Sequence, residues 1–170
     1  ALQVSGGTVS LTSATLVSNT AQGGTGGRGA GGSLYIAPGG GAGGNGFGGA
    51  LEVSAGSAAV GNDSLTSNIA QGGKPGGYFA AVGNGFGGAV QVAAGGAITF
   101  SNDAVSSNVA QGGEFVSAFG QILARGLGEG GGVYIASVAT VYVDAFTLKN
   151  VKNNTASTNS PNVYGQFLET

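Results

Sequence analysis

The sequence predicts an all-β fold: a right-handed parallel β-helix whose imperfect, glycine-rich coils wind around one aliphatic core. Three observations carry that expectation. Short words with period-two apolar patterning recur in tandem, like words recur in like order, and the segments between them are glycine or small polar residues. Glycine supplies 38 of the 170 residues, yet 41% of the chain is hydrophobic and that hydrophobicity is patterned, which argues against disorder. The expected organisation is one domain, 1–170, in repeats of approximately 1–49, 50–88, 89–131 and 132–170.

The first word is ALQV (1–4), SLYI (33–36), ALEV (50–53), AVQV (89–92) and GVYI (132–135). Its second and fourth positions are apolar: Leu2 and Val4, Leu34 and Ile36, Leu51 and Val53, Val90 and Val92, Val133 and Ile135. Its third position, Gln3, Tyr35, Glu52, Gln91 or Tyr134, suits an outward face. The second word is TVSL (8–11), SAAV (57–60), AITF (97–100) and TVYV (140–143), with Val9 and Leu11, Val60, Ile98 and Phe100, and Val141 and Val143 directed inward. The third is TLVSNTA (15–21), SLTSNIA (64–70) and AVSSNVA (104–110), with a longer last copy, TLKNVKNNTA (147–156). Each is read as one strand, and no segment has a useful helical period.

Asn19, Asn68, Asn108 and Asn154 take one corner in successive copies. Asparagine tolerates left-handed backbone and bonds locally, and stacked amides form a ladder. The glycine pairs before the first word suit turns with positive φ. Like-word starts at 50, 89 and 132 imply about two coils per repeat, the second being the glycine tract with SLYI (33–36), YFAAV (78–82) or AFGQIL (118–123). Roughly seven or eight coils would make a rod of roughly 35 Å. The tracts themselves read as tight backbone-packed coils or as surface loops.

Composition excludes several chemistries. There is no Cys, His, Met or Trp, so no disulfide, thiolate site or thiol nucleophile. The basic residues Arg28, Lys74, Arg125, Lys149 and Lys152 are scattered along the sequence, and no nucleic-acid partner is expected. No apolar run suits a membrane helix, so no membrane insertion is expected. ALQVSGG has neither a basic start nor an apolar signal core, and reads as a mature or internal segment. The glycine tracts lack the Lys-Ser/Thr and following helix of a phosphate loop. Asp63 and Asp103 are repeat-equivalent, with Ala14 and Phe146 in the other copies. Two coils apart, they would stand near the ~10 Å upper limit of an inverting glycosidase pair, but Asn-Asp turns are the simpler reading. GGNGFGG places Phe where the calcium nonapeptide needs Asp, and the outward residues Ser10, Ala59, Thr99 and Tyr142 make no ice-binding threonine row. No catalytic residue, cofactor or metal is expected.

GGAL (48–51), GGAV (87–90) and LTSN (65–68) resemble the GGA(I/L/V) and FxxN motifs of polymorphic outer-membrane protein repeats. The longer pattern resembles glycine-rich bacterial surface proteins with right-handed β-helix repeats, of the autotransporter-passenger kind. The phenylalanine of FxxN is Leu16, Leu65 or Val105 here. The resemblance implies export, surface display, and structural or adhesive roles without shared catalytic residues. The expected function is therefore a non-enzymatic extracellular structural protein, part of a cell-surface fibre that self-associates head-to-tail or laterally. The alternatives are a monomeric glycan-binding adhesin module, presenting Gln3, Tyr35, Glu52, Gln91 and Tyr134, and, more remotely, a polysaccharide-active enzyme.

Overall fold

Period-two patterning makes strands of the predicted words, and each strand finds its partner in the like word of the next repeat. The computed structural model describes residues 1–29 and 40–170, so SLYI (33–36) lies outside the described residues. The strand Leu51–Gly61 pairs in parallel with Leu2–Thr12 on one side, and with Val90–Val92 and Gly96–Ser101 on the other. Those pair onward with Val133–Ile135 and Thr140–Val143, and these with Val163–Tyr164 and Leu168–Glu169. A four-stranded parallel sheet stacks Thr15–Val17, Ser64–Thr66, Ala104–Ser106 and Val151–Lys152. Another stacks Thr20–Gln22, Ile69–Gln71, Val109–Gln111 and Thr155–Ala156. A three-stranded sheet stacks Gly46–Phe47, Gly85–Phe86 and Gly128–Glu129.

This register corrects the expected spacing. Leu51 pairs directly with Val90, and Val90 with Val133, so each of the first three repeats supplies one layer rather than two, and the last adds Val163–Tyr164 and Leu168–Glu169 as a short fifth layer. The rise over the five layers is about 19 Å at the strand spacing of a sheet. The third word is also corrected. It is two strands meeting at a corner, as in Ser64–Thr66 and Ile69–Gln71, because Ser67 between them takes φ 57°.

Inward residues of successive layers form one core. Val4, Leu51, Val53, Val60, Val90, Val92, Ile98, Phe100, Val133, Ile135, Val141 and Val143 are buried, while Leu2, Val9 and Leu11 of the first layer are partly buried against them. The third word adds a column absent from the expected core: Leu16, Leu65, Val105 and Val151 pair in register and pack with the rest. Each fully buried Val or Leu contributes about 1.5–3 kcal/mol from apolar burial.

The last repeat departs from the strand pattern. Its extra residues form a helix, Ala145–Asn150, where no helix was expected. Asp144 caps it by accepting a hydrogen bond from Thr147 N at 2.8 Å. Six residues are too few to show a helical period, so the cap was its only sequence sign.

The glycine tracts are not separate coils. Each leaves the body after the Ala-Gln-Gly-Gly word and returns beside itself. Gly44 N donates to Gly24 O at 2.8 Å, Gly73 N to Gly44 O at 2.8 Å, Gly83 N to Gly73 O at 3.0 Å, Gly113 N to Gly83 O at 2.9 Å and Gly126 N to Gly113 O at 2.9 Å. Outgoing and returning runs thus alternate in a two-column bundle. A Cβ on Gly23 would stand 1.9 Å from Gly44 O, one on Gly73 2.1 Å from Gly24 O, and one on Gly76 2.0 Å from Gly27 O. Such crowded glycines recur every third residue, as at Gly23 and Gly26, Gly40, Gly43 and Gly46, and Gly73 and Gly76. That is the period of a polyproline II helix, in which one position per turn faces the packed axis. At the bundle's far side, 118–123 is not a degenerate coil. It holds a turn with Gly120 at φ 78° and opens the strand Ile122–Arg125, which pairs antiparallel with Glu114–Val116.

Candidate functional site

The corner asparagines meet in one column. Asn19 Nδ2 donates to Asn68 Oδ1, Asn68 Nδ2 to Asn108 Oδ1 and Asn108 Nδ2 to Asn154 Oδ1, each at 2.9 Å. Each acceptor oxygen also takes the backbone N–H of the preceding asparagine. The second amide hydrogen of Asn68, Asn108 and Asn154 goes to Leu16 O, Leu65 O and Val105 O. Asn68 and Asn108 are fully buried, and every amide donor and acceptor they carry is used. A fifth member, Asn162, accepts from Asn154 Nδ2 at 3.1 Å. It lies only eight residues beyond Asn154, so repeat spacing does not reveal it. The left-handed residue at this corner is not the asparagine but its predecessor: Ser18, Ser67, Ser107 and Asn153 have positive φ.

Asp63 and Asp103 stand one layer apart, not two. Asp103 Oδ1 accepts Asp63 N at 2.7 Å and its Oδ2 accepts Ser101 N at 2.8 Å. Asp63 accepts from Ala14 N and, at 3.1 Å, from Gly61 N. Thr147 Oγ1, rather than Phe146, takes this position in the last repeat by accepting Asp103 N at 2.9 Å. Both aspartates are almost wholly buried, and their oxygens face backbone N–H groups. Burial pushes the Asp103 carboxyl above its ordinary range against these hydrogen bonds, with smaller upward contributions from Asp63 and Asp144. The arrangement closes corners and offers no free lone pair toward solvent.

The outward row aligns Gln3, Glu52, Gln91, Tyr134 and Tyr164. Gln3 Nε2 donates to Glu52 Oε2 at 3.1 Å, and burial raises the Glu52 carboxyl despite that bond. Gln91 is buried, not outward-exposed as expected, and its Oε1 has no partner among the described residues. Phe47, Phe86, Tyr134 and Tyr164 make a continuous aromatic run with centroids 5.8, 4.7 and 4.8 Å apart. Phe47–Phe86 and Tyr134–Tyr164 are near-parallel stacks, at 15° and 9°. The rings spend faces on one another, which leaves this row mainly edges for a ligand. Repeat alignment does not reveal this run, because Phe47 and Phe86 belong to a different word from Tyr134.

Three of the five basic residues in the sequence, Arg28, Lys74 and Arg125, gather on the glycine bundle. Arg125 Nε pairs with Glu114 at 3.1 Å. Among the described residues no cluster of three or more acidic side chains suits a metal ion, and no helix is long and apolar enough to cross a membrane. No protein family, curated protein or solved structure matches the chain.

Proposed function

We propose that the parallel layers wind as a right-handed β-helix, and that the chain is a non-enzymatic structural segment of an extracellular, cell-surface fibre. The observation that carries this reading is the Asn19–Asn68–Asn108–Asn154 column, which ties the first four layers with amide pairs that are buried from Asn68 onward. A second column through Asp63, Asp103 and Thr147, and the interlocked glycine runs, repeat the same device at other places on the cross-section. The polar interior is thus committed to axial cohesion. The first three repeats present a like backbone and side-chain pattern at each layer, and a stack of this kind extends along its axis onto like repeats.

Negative-stain electron microscopy and light scattering over a concentration series test the fibre reading. Thin unbranched filaments one cross-section wide, growing with concentration, are expected. Dispersed monomers at every concentration would reject self-association of this segment.

A further inference from the structure

We propose that the side of the glycine bundle at Arg28 and Lys74 binds an acidic glycan, a polysaccharide carrying carboxylate or sulfate groups. Two clefts of about 300 and 280 Å³ adjoin there, sharing Arg28, Gly76 and Phe115 in their walls. Thr25, Lys74 and Glu114 line the first, and Tyr78 lines the second. The Glu114 carboxylate is engaged by Arg125, whereas Arg28 and Lys74 form no ion pair among the described residues. Two exposed cations therefore face one concavity in a chain of net charge −2.

The aromatic geometry distinguishes this site from the axial ring stack. Tyr78 and Phe115 meet edge to face, with centroids 5.2 Å apart and planes at 87°. In that arrangement, whichever ring offers its edge, Phe115 covers at most one face of Tyr78. Tyr78 is half exposed. A free aromatic face takes the C–H face of a sugar, while a guanidinium and an ammonium take its anionic substituent. Because Gly77 puts no side chain into the wall, a wide pyranose chain can lie against the backbone there. Cations beside an open ring and a bare backbone fit an acidic saccharide better than a free anion, which would leave Tyr78 unused.

Isothermal titration of the whole chain with polygalacturonate at low ionic strength tests the site, with uncharged dextran and inorganic phosphate as comparison probes. Polygalacturonate is expected to bind, and to weaken as sodium chloride is raised. The Arg28→Gln/Lys74→Gln double variant should bind at least tenfold more weakly. Tyr78→Ala should weaken polygalacturonate about three- to tenfold without changing any phosphate response. These residues are exposed, and an unchanged circular dichroism spectrum checks the fold of each variant. Equal binding by the double variant, equal binding of dextran, or no binding by the folded wild-type chain would overturn the proposal. It stands apart from the fibre reading, since loss of glycan binding leaves axial assembly unchanged.

Discussion

At the scale of residues, the buried amides decide most. Asn108 is fully buried, and its side chain makes four hydrogen bonds: from Asn68 N, from Asn68 Nδ2, to Leu65 O and to Asn154 Oδ1. Asn108→Ala leaves several partners unpaired and should lower stability by about 3–5 kcal/mol in urea unfolding. Asn19→Ala, at the less buried first layer, should cost about 1 kcal/mol. Near-equal losses would contradict a graded ladder. Asp103 makes a different demand, because its two oxygens accept N–H groups from two residues. An amide can accept only one of these, so Asp103→Asn should cost about 1–3 kcal/mol at neutral pH. The pH dependence has a definite sign. Burial raises the folded Asp103 carboxyl above its unfolded value, so its stabilising contribution is full below the unfolded value and is lost as pH rises through the folded one. Asp144 acts oppositely: hydrogen bonds with Thr147 lower it, and its contribution fades as pH falls through the folded value. Removing Asp103 should therefore flatten the decline of stability with rising pH just above the ordinary carboxylate range, as read from urea midpoints at successive pH values. The asparagine column was legible because SN recurs at one place in three repeats. The aspartate column was half legible, since its last position is filled by a threonine inside an unexpected helix.

At the scale of elements, strands followed their words but the glycine tracts did not announce their form. Alternation reports which side chains face a core, and a glycine has none to report. The run GGT-GGR-GAG (23–31) has a three-residue period consistent with polyproline-II-like packing, but which glycines meet another backbone is visible only once runs from neighbouring repeats lie side by side. Two neighbouring glycine runs then predict opposite outcomes at facing positions. A Cβ on Gly73 would stand 2.1 Å from Gly24 O, whereas one on Gly24 would meet nothing within 4 Å. Gly73→Ala should lower stability by about 3 kcal/mol or shift the bundle, while Gly24→Ala should be neutral or stabilise by about 0.4–1 kcal/mol through the unfolded chain. Thermal melts of the two variants check this, and equal behaviour would contradict the packed bundle. The split of the third word was illegible for a related reason. Alternation continues on both sides of Ser67, and only its positive φ turns the chain.

At the scale of the whole molecule, the layers join two different ways of stacking backbone. In the body, parallel strands place Leu16, Leu65, Val105 and Val151 above one another, the first partly buried and the rest buried. Beside it, glycine runs pack backbone to backbone with no side chains between. The period of the repeats was visible in the sequence, but the number of layers per repeat was not. A glycine tract is long enough to make a second coil, and only the pairing of Leu51 with Val90 excludes one. The central claim is this one-layer register, and a disulfide tests it most directly because the chain contains no cysteine. Thr66 and Ser106 are register partners in adjacent layers. One layer per repeat places their Cα atoms about 5 Å apart, within disulfide range, whereas two layers per repeat would separate them by about 10 Å. The Thr66→Cys/Ser106→Cys variant, oxidised under native conditions, should form the intramolecular disulfide rapidly and nearly completely. Failure to form it in the folded chain would contradict the register on which this account rests.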